Sequence, residues 1–238
     1  PSRAAQHTGR SPPRSGLTSS NEGLYRGPTA LRREPTDAAQ TLPELFRRSG
    51  YRTVLVGKVS HTPDGRVYAY DGSGDGRAEL PGAWDELATP FGPWKRGWGT
   101  FFAYADGRHR EDGEGHRDLM EFVVERDEDL PDGLNARVAV EKLAELAQRD
   151  EPFFLGLGFY KPHLPHVATQ ADWEAVAALD VPPPEHAGKP ASAYWHRSGE
   201  YYRYDFPFPK QRPLADEDAL RARRAYLACV RYTDRQVG

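Results

Sequence analysis

Two short runs of β-branched and apolar residues constrain the fold more than any other feature of this sequence. Residues 51–56 and 153–159 are short, are bounded by turn residues and are typical of buried strands. The segment before the first run, residues 41–48, has helical apolar spacing, with Thr41 as the expected cap and Gly50 as the terminator. A helix, a glycine and a buried strand form half of a βαβ unit. The sequence therefore predicts an α/β architecture.

Helical spacing recurs in four other segments of the chain. They are residues 2–9, 135–148, 171–179 and 216–236. In the second of these, Asn135 is expected to cap the helix and Leu143 to face the core. In the last, Asp216 is the expected cap and Val230 is expected to face inward. Between the helices and strands, residues 11–35, 62–117 and 182–213 are rich in glycine, proline and polar residues, and we expect them to be irregular.

Composition excludes several classes of protein. The chain has 238 residues and a formal net charge of −3, which argues against a nucleic-acid partner that binds through overall positive charge. No apolar run approaches the roughly 18 residues of a membrane-spanning helix, so we expect no membrane partner. Cys229 is the one cysteine, which rules out an internal disulfide framework. We expect a loop-rich segment at about residues 62–117.

Basic side chains follow both predicted strands. Lys58 and His61 come after the first strand, and Lys161 and His163 come after the second. Ligands of open α/β sheets bind outside the carboxyl ends of the strands, so these side chains would converge if the two strands are parallel neighbours. Neither loop carries a carboxylate before Asp64. Two ammonium groups and two imidazoles suit a sulfate or phosphate group better than a bare metal ion. A zinc site formed by His61, His163 and His166 is an alternative, but no ligand spacing supports it.

Three tryptophans lie in the loop-rich segment. They are Trp84, Trp94 and Trp98. Aromatic side chains in such a segment either anchor the loops against a core or form a platform for a sugar ring. We favour the anchoring role.

Five sequence elements occur in an order that matches a known family. These elements are Pro1-Ser2-Arg3 followed by Thr8-Gly9-Arg10, Gly57-Lys58-Val59-Ser60-His61, Asp129-Leu130-Pro131-Asp132, Tyr160-Lys161-Pro162-His163-Leu164-Pro165, and residues 226–238 with their ending Tyr-Thr-Asp-Arg-Gln-Val-Gly. In this respect the chain resembles the sulfatase family and, within it, the iduronate-2-sulfatase-like branch. The resemblance implies an alkaline-phosphatase-like α/β fold with a mainly parallel central sheet flanked by helices, incomplete in this chain.

The resemblance also implies a function. Sulfatases hydrolyse sulfate esters with a formylglycine nucleophile and a divalent cation, usually calcium. By motif, Arg3 would stabilise the nucleophile, and Lys58 would bridge it and a sulfate oxygen. His61 and His163 would contact the sulfate, with His163 the favoured acid for the leaving oxygen. Lys161 would lie at the substrate rim. The substrate would be a small-molecule or glycan sulfate ester.

The same resemblance places several family residues outside the sequence. The formylglycine position lies upstream of Pro1, and the acidic metal ligands fall before and after the chain, so no metal ligand is expected within it. The resemblance therefore implies one partial sulfatase catalytic domain over residues 1–238, a fragment that we expect to be inactive by itself. Two alternatives remain: a phosphonate or phosphate-ester hydrolase of the same superfamily, and a non-catalytic protein that binds anions or glycans. The compartment stays unknown, although the family is compatible with export.

Overall fold

The structure is a computed structural model that describes residues 2–15, 31–112, 116–185, 191 and 199–238. The chain forms two compact units. The first unit comprises residues 1–101 and 134–160, and the second unit comprises residues 102–133 and 161–238. The single partial domain expected from the sequence stays a prediction.

The helices and strands follow one another in mixed order. Along the chain they are α1 (Ser2–Thr8), α2 (Pro12–Ser15), α3 (Leu42–Arg48), β1 (Arg52–Gly57), β2 (Glu86–Leu87), α4 (Trp98–Phe101), β3 (Met120–Val124), α5 (Pro131–Leu146), β4 (Phe153–Gly158), β5 (His166–Thr169), α6 (Gln170–Ala177) and α7 (Asp216–Val237). Among the described residues, three short 3₁₀ turns cover Ala105–Gly107, Asp127–Asp129 and Glu200–Arg203.

The first unit is built on a three-stranded parallel sheet in the order β2-β1-β4. Its central strand β1 is buried through residues 54–56. The register pairs Arg52 with Phe153 and Gly57 with Gly158, so the carboxyl ends of β1 and β4 lie side by side. The α/β class and the two predicted strands are therefore confirmed, and so is their parallel pairing.

Helix α3 forms and ends as its sequence predicts. The Thr41 hydroxyl accepts a hydrogen bond from the Glu44 N–H at 3.4 Å, and Gly50 follows the helix with a φ of +85°. This left-handed φ favours glycine because it lacks a Cβ. Phe46 of α3 stacks on Phe154 of β4 with ring centroids 4.5 Å apart, so the helix covers one face of the sheet.

The second unit contains a two-stranded parallel sheet, β3-β5, packed against α6 and α7. The largest buried side chains of its core include Tyr104, Leu130, Val167 and Tyr232. Tyr232 of α7 donates from its hydroxyl to the Asp127 carbonyl at 2.9 Å and accepts from the Gly133 N–H at 2.8 Å. Among the described residues, we find no helix with the length and apolar character needed to span a membrane.

Two helix predictions need correction. Helix α5 begins at Pro131 and not at Asn135, which lies inside the helix and is fully buried, while Leu143 is 44% exposed. Proline at the first helical position has a φ suited to a helix start and needs no N–H partner there.

In α7, Asp216 is the first helical residue, and the cap is Ala215, whose side chain forms no capping hydrogen bond. Val230 is 37% exposed, and the buried face instead consists of Ala222, Ala225, Ala228, Cys229 and Tyr232.

The segments expected to be irregular contain little regular structure where they are described. Residues 62–117 hold only β2, α4 and one 3₁₀ turn among the described positions. Residues 11–35 include the short helix α2, and residues 182–213 include a 3₁₀ turn. Residues 16–30, 113–115, 186–190 and 192–198 lie outside the described residues.

Candidate functional site

The chain leaves β1 through a close contact with β4. Gly57 has a φ of +72°, and a Cβ there would lie 2.0 Å from the Gly158 carbonyl oxygen. Any residue larger than glycine would force the strands apart. The next residue, Lys58, donates its N–H to the same carbonyl at 2.7 Å, which fixes its backbone at the carboxyl end of the sheet.

Three of the residues predicted from the sequence come together in the first unit. The guanidinium of Arg3, on α1, donates a hydrogen bond to the Lys58 carbonyl. The Lys58 ammonium donates in turn to the His61 carbonyl. We call Arg3, Lys58 and His61 the cationic cluster. It lies where the central strand of a parallel sheet ends, which is the usual position of a ligand site in an α/β fold.

Aromatic rings of α4 form one wall of the cationic cluster. The Lys58 ammonium lies 4.8 Å from the Phe101 ring centroid and 5.5 Å from that of Trp98. The His61 ring meets Trp98 edge to face at 5.1 Å. The Lys58 side chain is thereby held in a mainly apolar setting, with its residue only 8% exposed. Ring faces attract cations and partly compensate for the lost water.

The buried carboxylate of Glu79 organises the backbone beside this cluster. Its Oε2 accepts from the Ser60 hydroxyl at 2.6 Å, and from the N–H and hydroxyl of Thr62 at 2.8 and 2.6 Å. Its Oε1 accepts from the His61 N–H at 3.1 Å. The loop itself carries no carboxylate before Asp64, but Glu79 reaches the cluster from 18 residues beyond His61, which the sequence does not indicate.

Burial perturbs both titratable groups of the cluster. It lowers the pKa of Lys58 to about 7, with a further contribution from the Arg3 charge and opposition from Glu79. It also lowers the pKa of His61 to about 4, where the Lys58 charge is the next largest cause. At neutral pH His61 is therefore uncharged and Lys58 is only partly protonated. A bound anion would favour the charged forms of both.

The other two predicted residues lie in the second unit, on the loop between β4 and β5. Lys161 is 8% exposed, and its ammonium donates to the carbonyls of Pro165 at 2.6 Å and His163 at 3.2 Å. Its backbone N–H donates to Asp132 at 2.8 Å. Lys161 thus holds the shape of its own loop. Its role at the substrate rim stays a prediction.

His163 is exposed on the same loop, and its ring orientation is fixed locally. Its Nδ1 lies 2.7 Å from the Leu164 carbonyl oxygen. A carbonyl can only accept, so Nδ1 carries a proton and Nε2 is the nitrogen that exchanges one. His166, at the end of the loop, is buried, and burial lowers its pKa to about 3. His166 is therefore a neutral imidazole.

Comparison with known proteins decides the family. A family model described as "Sulfatase" matches residues 1–238, the whole sequence. The chain belongs to the sulfatase family.

Individual sulfatases are similar over most of this chain. A sulfatase of Formosa agariphila is 31% identical over 194 residues, which is 77% of the chain and 34% of that relative. Iduronate 2-sulfatase of Homo sapiens is 26% identical over 213 residues, or 83% of the chain and 36% of the relative. Iduronate 2-sulfatase of Mus musculus is 26% identical over 215 residues. The chain thus spans about a third of the length of these relatives.

The described part of this sulfatase chain does not fit a divalent cation. It contains no group of three or more His, Cys, Asp or Glu side chains placed to hold a metal. Both oxygens of Glu79 already accept hydrogen bonds, and the nearby charges of Arg3 and Lys58 would repel a cation. Calcium prefers six to eight oxygen ligands. We therefore derive no step of the reaction through a metal.

The one cysteine does not fit the formylglycine position either. Cys229 is fully buried in α7, and its thiol donates to the Val167 carbonyl at 3.6 Å. Burial raises its pKa to about 12. It therefore packs in the core of the second unit and offers no reactive group.

Sequence reasoning missed Glu79 and Trp98 as neighbours of the cluster. The tryptophan was expected to anchor loops, and it does pack on Phe101 with ring centroids 5.5 Å apart. It also contacts His61 and Lys58. Neither hydrophobic periodicity nor a sequence motif identifies these two residues, because both belong to residues 62–117, the segment that the sequence predicts to be irregular.

Proposed function

We propose that this chain supplies the oxyanion-binding part of a sulfuric ester hydrolase, and that the cationic cluster binds the oxygens of a sulfate monoester. One observation carries the proposal: Arg3, Lys58 and His61 meet at the carboxyl end of the central parallel strand, in a member of the sulfatase family. A guanidinium and an ammonium are the side chains best suited to oxyanions. The relatives' name, iduronate 2-sulfatase, supports a sugar as the alcohol, whereas the proposal itself needs only a sulfate monoester.

In this proposal Arg3 and Lys58 attract the sulfate through their positive charges. Lys58 carries a positive charge only part of the time at neutral pH, and a dianion beside it would favour the protonated form. His61 remains neutral in the absence of an anion, so it contributes an N–H donor and no permanent charge. Glu79 does not contact the substrate in this proposal and acts by positioning residues 60–62.

The role proposed for His163 is that of general acid. The proton on Nε2 of the imidazolium passes to the leaving alcohol oxygen as an attacking nucleophile bonds to sulfur and the S–O bond to the alcohol breaks, and the imidazole becomes neutral. The Nδ1–H donated to the Leu164 carbonyl supports this role because it leaves Nε2 as the exchanging nitrogen. Such an acid is worth roughly 10²- to 10⁴-fold in rate.

Sulfate binding by the chain tests the cationic cluster directly. Calorimetric titration with sodium sulfate at pH 6.5 and low ionic strength should show a weak site that fades as salt is added. Lys58→Met should weaken this site by about tenfold or more, since a charged hydrogen bond is worth about 1.5–3 kcal/mol. Lys95→Met is the matched control, because Lys95 is exposed. Equal affinities in the two variants would refute the assignment of Lys58.

Turnover separates the proposal from its two alternatives. We expect no hydrolysis by this chain alone, and sulfatase activity in a longer form that carries both the family's signature residue and its acidic metal ligands. In that form His163→Ala should reduce turnover of a sugar sulfate much more than that of nitrophenyl sulfate, whose leaving group hardly needs a proton. Equal losses would remove His163 from the acid role. In the longer form, hydrolysis of nitrophenyl phosphate but not nitrophenyl sulfate would identify a phosphate-ester hydrolase. Sulfate binding by the longer form without turnover of either ester would identify a non-catalytic relative.

A further inference from the structure

Helix α1 contacts the loop after β1 through two side chains that lie one turn apart. The Arg3 guanidinium donates to the Lys58 carbonyl, and Nε2 of His7 lies 3.1 Å from the Val59 carbonyl oxygen. Residues four apart share one face of a helix, so the two side chains meet consecutive carbonyls of the loop. Arg3 belongs to the cationic cluster, whereas His7 lies outside it.

The contact with the loop explains why a histidine occupies this buried position of α1. A carbonyl can only accept, so Nε2 of His7 carries a proton and donates it to Val59. His7 is 8% exposed, and its Nδ1 is buried with no hydrogen-bond partner among the described residues. An apolar side chain would avoid the cost of that unpaired nitrogen. The advantage of histidine here is therefore the Nε2–H donor.

The Val59 carbonyl lies between two anchors of the loop that carries the cationic cluster. On one side, the Lys58 N–H donates to the Gly158 carbonyl at 2.7 Å. On the other side, Glu79 accepts from the His61 N–H at 3.1 Å. The peptide group between these anchors sets the direction of the chain from one cationic side chain to the next. The histidine of α1 fixes the orientation of that peptide group through its carbonyl.

We propose that His7 is a positioning residue of the sulfate site: by holding the Val59 carbonyl, its Nε2–H keeps the side chains of Lys58 and His61 directed at the same anion. The inference rests on the proposed function, because it assumes that these two side chains bind sulfate. His7 does not touch the anion and acts only through the loop. Binding groups need to be held within about 0.5 Å of their working positions, which a supporting hydrogen bond of this kind provides.

Sulfate titration of matched variants at position 7 tests the donor. His7→Met removes both ring nitrogens with little change in volume, and it should weaken sulfate binding about 3- to 10-fold, as expected for the loss of one neutral hydrogen bond. His7→Gln places an amide N–H near the position of Nε2 and should restore the affinity. His7→Asn places its amide near the position of Nδ1 instead and should bind sulfate as weakly as His7→Met, which keeps the test available if the methionine variant does not fold. Gln6→Met is the control, because Gln6 is exposed on the same helix.

The ionisation of Lys58 gives a second measurement that needs no sulfate. The pH dependence of its labelling by acetic anhydride, followed by mass spectrometry with the exposed Lys95 as the reference, should give a pKa of about 7 in the wild type, since burial and the Arg3 charge lower it. A loop that is no longer held would expose the amine, so the pKa should rise to about 8 or above in His7→Met and return in His7→Gln. If His7 contributed only to stability, the urea midpoint would fall without any change in the labelling of the folded chain.

The two measurements separate failure of this inference from failure of the proposed function. If the wild type binds sulfate through Lys58 and His7→Met binds it as tightly as Gln6→Met, the inference is overturned and the proposed function stands. Equal losses of affinity in His7→Met and His7→Gln, or a labelling profile that is the same in all variants, would also overturn it. If the wild type binds no sulfate but the labelling of Lys58 changes in His7→Met and returns in His7→Gln, the proposed function falls and the positioning of Lys58 by His7 is supported.

Discussion

Replacing Glu79 by glutamine should destabilise the first unit by about 2–4 kcal/mol. The glutamine amide keeps one acceptor oxygen. If that oxygen faces Ser60 and Thr62, the amide nitrogen meets the His61 N–H, and two donors then oppose each other. The remaining hydrogen bonds lose the charge that strengthens them, since bonds to a charged group are worth about 1.5–3 kcal/mol and neutral ones about 0.5–1.5. Arg3 and Lys58 also lose their attraction to a nearby carboxylate.

Urea unfolding followed by circular dichroism at pH 7 measures this loss. Glu145→Gln is a matched control, because Glu145 is 52% exposed and pairs with Lys142 on the surface of α5. Exposed pairs of this kind contribute little, so the control should change the unfolding free energy by less than about 0.5 kcal/mol. A Glu79→Gln midpoint equal to that of Glu145→Gln would refute the view that the Glu79 carboxylate organises residues 60–62.

Other consequences of the same electrostatics can be measured on the chain. The pKa of Lys58 is about 7 in the folded chain and 10.5 ordinarily, so the unfolded state binds more protons between pH 7 and pH 10.5. Lys58 should therefore raise the free energy of unfolding of the wild type as the pH rises from 7 to 10.5. The urea midpoints of Lys58→Met should not show this increase. Burial alone would raise the pKa of Asp172, but hydrogen bonds from Arg235 and Thr169 outweigh burial and lower the pKa. Asp172→Asn should therefore lower the free energy of unfolding by about 3–5 kcal/mol at pH 7, and this loss should shrink as the pH falls through the carboxylate range. Asp234→Asn is the control, because Asp234 is exposed and its replacement should change the free energy of unfolding little in the same assay. Calorimetric titration with calcium should show no stoichiometric site with a dissociation constant below about 1 mM. A tighter site would contradict the conclusion that the described residues do not fit a divalent cation.

The sheet of the first unit could be predicted because its signals are local. The apolar runs 51–56 and 153–159 differ by only one residue at their ends from β1 and β4. Each run is bounded by residues that end regular structure, such as Gly50 before β1 and Gly57 at its end. Parallel pairing then follows from the helix that precedes each strand.

The core face of α7 could not be predicted with the same rules. The sequence favours Val230 as an inward residue because it is β-branched and apolar. The helix instead buries three alanines, at positions 222, 225 and 228, together with Tyr232. Small side chains allow α7 to pack closely on β5 and α6, and that choice depends on tertiary packing and not on the apolar pattern of the helix alone.

The candidate site shows the same division between local and distant signals. Lys58 and His61 follow a recognisable strand, so their location at the carboxyl end of the sheet was predictable. Glu79 and Trp98 reach the site from a segment rich in glycine and proline. In that segment neither hydrophobic periodicity nor a sequence motif identifies individual residues as part of a site. The charge balance of the cluster depends on Glu79, so the protonation of Lys58 could not be predicted from sequence.

Proton uptake on sulfate binding is the sharpest consequence of that charge balance. At pH 8 the folded chain holds Lys58 mostly neutral, because burial and the Arg3 charge lower its pKa to about 7. A sulfate dianion beside the ammonium favours the charged form, so binding at pH 8 should take up close to one proton through Lys58. Calorimetry in two buffers of different ionisation enthalpy gives the number of protons directly. At pH 6 Lys58 is already mostly protonated, so uptake within the cationic cluster at that pH would come from His61, whose pKa is about 4. Subtracting the uptake of Lys58→Met isolates the lysine contribution, and an uptake at pH 8 that is unchanged in this variant would show that the sulfate does not bind beside Lys58.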